Sequence, residues 1–142
     1  MKFVRTISVR QPRDRVFAYL ADFTTTTEWD PASVRTERLA GSGGVGTEYL
    51  NVSRFLGREA ELRYVVTEHD PDRRFALRGE NKSLVAHDEM TLEGAADRTT
   101  LTYAATFEPQ GLVRLAGPLL GLAFRRLVDR GATGLEHALQ RL

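Results

Sequence analysis

The stretch Gly111–Leu142, GLVRLAGPLLGLAFRRLVDRGATGLEHALQRL, decides how the rest of the chain is read. Leu112, Leu115, Leu119, Leu122, Leu127, Leu135, Ala138 and Leu142 recur at roughly helical spacing. Gly117-Pro118 and Gly121 interrupt the pattern, and Pro118 is expected to kink the helix or start a fresh one, because it lacks an amide donor and crowds the preceding turn. No other segment promises a helix this long. The stretch before it, from Ser33 to Glu108, reads as strands and turns, so the final helix is the element that must cover the sheet.

Six strands are expected there: Val34–Ala40, Thr47–Leu56, Arg58–His69, Arg73–Glu80, Ser83–Glu93 and Arg98–Glu108. Between them, Gly41–Gly46 forms a flexible loop, Gly57 allows a tight turn, and Asp70-Pro71-Asp72 suits a type I turn. Short connections imply antiparallel hairpins. Lys2–Arg10 supplies a seventh, N-terminal strand, and Pro12–Leu20 a short amphipathic helix with Val16, Phe17, Leu20 and Ala21 on one side. In FTTTTEWDP, Phe23–Pro31, Thr24–Thr27 can cap helix starts through their hydroxyls, and Asp30-Pro31 turns the chain toward the next strand. Trp29, the only tryptophan, is expected to plug this corner, and it is also a candidate ligand contact. The order describes one α+β domain over residues 1–142, with a concave apolar space between sheet and helix.

Composition excludes several classes. The 142 residues carry a net charge of +1, so bulk electrostatics recruits neither nucleic acid nor an anionic membrane. Absence of cysteine removes disulfides, thiolate nucleophiles and thiolate metal sites, and is compatible with a cytoplasmic location. The longest uncharged apolar stretch, Leu115–Phe124, is about half the roughly 20 residues of a spanning helix, so a soluble protein without stable membrane insertion is expected.

Strand alternation sorts the side chains that look inward. Tyr49, Asn51, Ser53 and Phe55 share the inner face of the second of these six strands, opposite Glu48 and Arg54. Ala60, Leu62, Tyr64 and Val66 follow on the next, and Phe75 and Leu77 on the one after. Leu84, Ala86, Asp88, Met90 and Leu92 line the fifth, and Leu101, Tyr103, Ala105 and Phe107 the sixth. Leu119, Phe124 and Leu127 of the helix complete the candidate ligand-binding set. This surface suits a hydrophobic ligand carrying several oxygens.

Asp88 is the residue that chemistry would use. A carboxylate among Leu84, Ala86 and Met90 is expensive unless paired, and desolvation would raise its pKa toward the range of a general acid or base. The alternative is a structural role, as an ion pair with an arginine or a cap on a loop at the sheet edge. Tyr64 and Tyr103 are the tyrosines that could share proton transfer with it, although buried tyrosines are more often core residues with a bonded tip. His87-Asp88-Glu89 holds ligand residue types, but alternation puts Asp88 on the face opposite His87 and Glu89, so no metal site is expected. Ser53 has no accompanying His–Asp arrangement, and Gly41–Gly46 matches neither phosphate-binding pattern. No cofactor is expected.

Several phrases, PRDRVFAYLADF at Pro12–Phe23, EWDP at Glu28–Pro31, VGTEY at Val45–Tyr49, EHDPDRRFALRGE at Glu68–Glu80 and RTTLTYAATFEPQG at Arg98–Gly111, resemble the START-like (SRPBCC) superfamily in order and spacing. More narrowly they are similar to its polyketide cyclase/dehydrase and lipid-transport family. That resemblance implies a helix-grip fold: a curved seven-stranded antiparallel sheet around a long C-terminal helix, with two short helices after the first strand. It implies a carrier or sensor of a lipid or polyketide-like aromatic, or alternatively a polyketide cyclase or dehydratase. A third reading is an interaction module using Leu112–Phe124 against a membrane or protein. The expected partner is a hydrophobic small molecule, and the expected state a monomer or homodimer.

Overall fold

The computed structural model describes all residues, Met1–Leu142. Strand β1 (Lys2–Val9) leads into helix α1 (Arg13–Ala21), a single 3₁₀ turn (Phe23–Thr25) and the short helix α2 (Thr26–Trp29). Then come β2 (Ser33–Ala40), β3 (Glu48–Phe55), β4 (Arg58–Asp70), β5 (Arg74–Glu80), β6 (Leu84–Ala95) and β7 (Arg98–Pro109). A 3₁₀ segment, Gly111–Ala116, precedes helix α3 (Gly117–Gln140). All seven strands form one antiparallel sheet ordered β1-β7-β6-β5-β4-β3-β2. The meander therefore closes on β1, which pairs with β7 from Lys2↔Thr106 to Val9↔Thr99. The two edges, β1 and β2, are joined through α1 and α2. Helix α3 packs along β1, touches β7 and meets α2, while α1 packs on β5 and β6.

Turn chemistry explains the hairpins. Leu56 (φ 52°) and Gly57 (φ 77°) are both left-handed and link Phe55 to its partner Arg58, the pattern of a type I′ turn. Asp70–Arg73 departs from the expected type I turn. Asp72 has φ 65°, which is the type II arrangement, with Pro71 at the preceding position. Aspartate tolerates this left-handed conformation better than most residues.

A register shift in β4 between Val66 and Glu68 interrupts the alternation. It carries His69 to the inner side, where its ring lies 5.1 Å from that of Phe17. Strict alternation would have placed Glu68 there.

Two expectations about helices need correcting. Thr24–Thr27 do not cap helix starts. The Asp22 carboxylate accepts the Thr24 amide, while the hydroxyls of Thr25, Thr26 and Thr27 donate to the carbonyls of Tyr19, Phe23 and Thr24. The C-terminal stripe is also re-phased. Helix α3 begins at Gly117 (φ 39°), with Pro118 in its first turn, so the preceding residues do not share its face. Its buried residues are Leu120, Phe124, Val128, Gly131, Ala132, Leu135, Ala138 and Leu139, so of the expected stripe Leu135 and Ala138 keep their place. Leu112, Leu115, Leu119 and Leu122 point to solvent, from 59% to 85% exposed.

Candidate functional site

The inner face of the sheet is divided into two regions. Under α1 the core is closed: Phe75 and Leu101 are fully buried, and the ring of Phe17 meets that of Phe75 at 6.4 Å, edge-on. Under α2 and α3 a cavity of about 100 Å³ remains. Of the residues expected to line it, Trp29, Asn51, Ser53, Phe55, Leu62, Tyr64, Asp88, Tyr103 and Leu127 do so. Tyr49, Phe75, Leu77, Ala86, Met90 and Ala105 face inward but belong to the closed core. Phe124 is buried between Phe55 (5.0 Å) and Phe107 (4.3 Å) in a near-parallel stack, so it forms a wall of the core rather than the cavity lining. Leu119 lies on the side of the helix opposite to that expected: it is 76% exposed, and Leu120 takes the inward position.

Six positions of the sheet turn polar groups to the cavity: Ser33, Asn51, Ser53, Tyr64, Asp88 and Tyr103. The Tyr64 ring lies across β5, where its register partner is Gly79. A Cβ on Gly79 would fall 2.6 Å from Tyr64 Cε1, so only glycine allows the phenol to lie there. Tyr103 on β7 donates its hydroxyl to Asp88 Oδ1 at 3.2 Å and meets Trp29 edge-on at 6.2 Å. On the far wall the Ser53 hydroxyl donates to Asn51 Oδ1. The Asn51 amide donates to Ser33 Oγ (3.0 Å) and Thr36 Oγ1 (2.8 Å), and Ser33 donates to Asp30 Oδ2 at 3.1 Å.

Asp88 receives only the Tyr103 bond, and the Tyr64 hydroxyl has no protein partner. No side-chain polar atom is sealed off without a partner, so the second Asp88 oxygen and the Tyr64 hydroxyl border the cavity. Burial raises the Asp88 pKa from its ordinary 3.8 to about 7; the Tyr103 hydrogen bond opposes the shift and the charge of Asp30 adds to it. Burial, then the charge of Asp88, pushes the Tyr64 and Tyr103 hydroxyls well above the usual tyrosine range. Asp30 is also raised by burial, against hydrogen bonds from the Ala32 amide and Ser33.

Trp29 holds both roles weighed from the sequence. It is 5% exposed, packs against α3 and lines the cavity. Its carbonyl oxygen lies so close to Gly134 that a Cβ there would overlap it. Ala60, Leu84 and Phe107, expected inward from strand alternation, also line the cavity, and so do Phe23, Thr26, Asp30, Ser33, Asn81, Val128 and Gly131, which no inward reading had included. Asp30 was legible as a carboxylate beside the only tryptophan, but the proline after it drew the reading toward a turn. No cluster of three or more metal-ligating side chains exists, and no helix is long and apolar enough to cross a membrane.

A curved antiparallel sheet gripping one long helix over a cavity defines a START-like, helix-grip protein. The chain belongs to the family described as polyketide cyclase / dehydrase and lipid transport, which it matches over residues 1–140. Among solved structures it is similar to the Zhui aromatase/cyclase from Streptomyces sp. R1128, with TM-score 0.86 and 18% identity over 99% of this chain and 94% of that one. A START superfamily protein from Mycobacterium smegmatis superposes with TM-score 0.82 at 14% identity, covering 99% and 97%. A protein from Thermus thermophilus does so with TM-score 0.81 at 16% identity, covering 96% and 95%. At these identities the likeness establishes the fold. No curated protein matches the chain.

Proposed function

We propose that the protein binds a hydrophobic small molecule with a polar head, as a carrier or sensor, in the cavity between the sheet and α3. The observation that carries this reading is an apolar, aromatic-walled space into which an Asp88 oxygen and the Tyr64 hydroxyl open without protein partners. Such walls supply affinity, and convergent polar groups fix orientation. The inner space of about 100 Å³ takes a head or single ring. It adjoins an outer groove of about 360 Å³ across Phe55 and Leu127, and a longer body would lie there. Titration of Trp29 fluorescence with the neutral dye Nile red tests the reading. Saturable change expected in the wild type, and lost when Leu62 and Val128 are enlarged to Phe, supports it; no saturable change overturns it.

A second reading is favoured by the titration of Asp88 near neutrality, beside two buried phenols. A general acid or base works best with a pKa near the operating pH. As a polyketide cyclase or dehydratase, Asp88 would take or give the proton at an enolisable carbon, with Tyr103 holding its carboxyl in place and Tyr64 donating to a carbonyl oxygen. Turnover of a poly-β-keto substrate by wild type and Asp88→Asn decides this: equal rates remove Asp88 from the mechanism. The exposed leucines at 112, 115, 119 and 122 support the interaction-surface reading, for which co-sedimentation with liposomes is the test.

A further inference from the structure

We propose that the cavity selects an organic cation, a protonated primary or secondary amine on an apolar body, over neutral and anionic molecules of the same shape. This rests on the binding reading above and names its ligand class.

The charge inventory of the lining is one-sided. Asp30 and Asp88 are both present, and no lysine, arginine or histidine is. Asp88 is 8% exposed and is met by one neutral hydroxyl only, which leaves an oxygen open to the cavity. A buried carboxylate is normally paired with a cation, and the protein supplies none. The nearest arginines of the adjoining groove, Arg54, Arg126 and Arg130, stand on the outer side of Phe55 and Leu127.

The rest of the lining fits an ammonium group. The unpartnered Tyr64 hydroxyl offers a lone pair, and Asp88 offers its free oxygen, so two N–H donors find acceptors. Phe23, Trp29, Tyr103 and Phe107 put aromatic rings around the same space, and ring faces attract cations when water is excluded. An anionic head would face two carboxylates with no compensating charge. A neutral alcohol could bond Asp88 but would leave its charge unpaired.

The pH dependence follows from the groups that face the site. These are Asp30 after α2, Tyr64 on β4, Asp88 on β6 and Tyr103 on β7, while α3 presents Leu127, Val128 and Gly131, none of which titrates. Asp88, raised to about 7, changes charge between pH 6 and pH 8. An alkylammonium, like that of lysine, stays charged throughout. Its affinity should rise about tenfold over that interval, since the ionised fraction of Asp88 rises by about that factor.

The experiment uses the full chain and three probes of one shape: phenethylamine, 2-phenylethanol and phenylacetate, with binding followed by Trp29 fluorescence and calorimetry. Phenethylamine is expected to bind at least tenfold more tightly than the alcohol at pH 8, with phenylacetate weakest. In Asp88→Asn the preference for amine over alcohol should fall below threefold, and the pH dependence should vanish. Asp30→Asn should reduce the preference in part. Equal or tighter binding of the alcohol or the carboxylate overturns the proposal, as does Nile red binding without any phenethylamine binding. If neither the dye nor any of the three probes binds, the binding reading itself fails and the cation proposal falls with it.

Discussion

Replacing Asp88 by asparagine should make the ligand-free protein more stable at alkaline pH. The isosteric amide keeps an oxygen that accepts the Tyr103 hydroxyl, so packing and the one hydrogen bond are retained. What changes is the charge. Burial raises the Asp88 pKa from 3.8 to about 7, so between those values the folded protein holds a proton that the unfolded chain has released. Stability therefore falls as pH rises through this window, and the contribution is largest when Asp88 is protonated in both states. Over the whole interval the ionised carboxylate costs about 4 kcal/mol, at about 1.4 kcal/mol per unit. Between pH 5 and pH 8 the loss is about 2–3 kcal/mol. Urea unfolding of wild type and Asp88→Asn at those two pH values measures it. The difference between the two proteins isolates Asp88 from the histidines and surface carboxylates that both share. The asparagine protein should gain about 2–3 kcal/mol on the wild type between pH 5 and pH 8, equivalent to roughly 1–2 M in urea midpoint. Parallel pH profiles for the two proteins would mean that water solvates the Asp88 carboxylate, and its desolvated placement would be refuted.

Other substitutions test the walls of the site. Gly79→Ala puts a methyl 2.6 Å from the Tyr64 ring and should cost about 1–3 kcal/mol in thermal or urea unfolding. A change below about 0.5 kcal/mol would place the phenol elsewhere. Gly134→Ala and Gly121→Ala should have opposite signs although both lie in α3. The first drives a Cβ into the Trp29 carbonyl and should destabilise by about 2 kcal/mol or more with a red-shifted Trp29 emission. The second meets only Met1 Sδ at 3.7 Å and should stabilise by up to about 1 kcal/mol through helix propensity. Leu115→Ser and Leu119→Ser should leave stability within about 0.5 kcal/mol, because their side chains are already in solvent.

The strands were legible because their alternation is nearly unbroken and their turns carry Gly, Pro and Asp. All seven strands, α1 and the late start of α3 at Gly117-Pro118 follow from such local signals. Three features did not, each for its own reason. The bulge at Thr67 leaves no mark in a run of residues that suit a strand, yet it decides that His69 and not Glu68 turns inward. The phase of α3 could not be read from leucine spacing, since the leucines before Gly117 belong to a separate 3₁₀ segment with a different residue angle. The limits of the cavity were illegible for a third reason. Alternation separates inner from outer but cannot say how far α1 fills the interior, so Phe75, Leu77 and Met90 were grouped with Tyr64 and Asp88.

That division is also the strongest argument that the polar lining serves a ligand. Asn51, Ser53, Tyr64, Asp88 and Tyr103 occupy the same kind of inward strand position as Leu77, Ala86, Met90, Leu101 and Ala105. A core that needed only to pack could use apolar residues at all of them, because replacing buried polar groups by well-packed apolar ones is often neutral or stabilising. Here those polar positions gather where α2 and α3 leave space, beside the apolar walls Phe55, Leu62, Leu84 and Phe107, while the five apolar positions just named lie in the closed core outside it. Asn51 and Ser53 have protein partners, so a structural role would account for them. It does not account for Tyr64, whose hydroxyl has none, nor for the second oxygen of Asp88. Those two groups face the cavity with no partner in the protein, and a bound molecule is what would supply one.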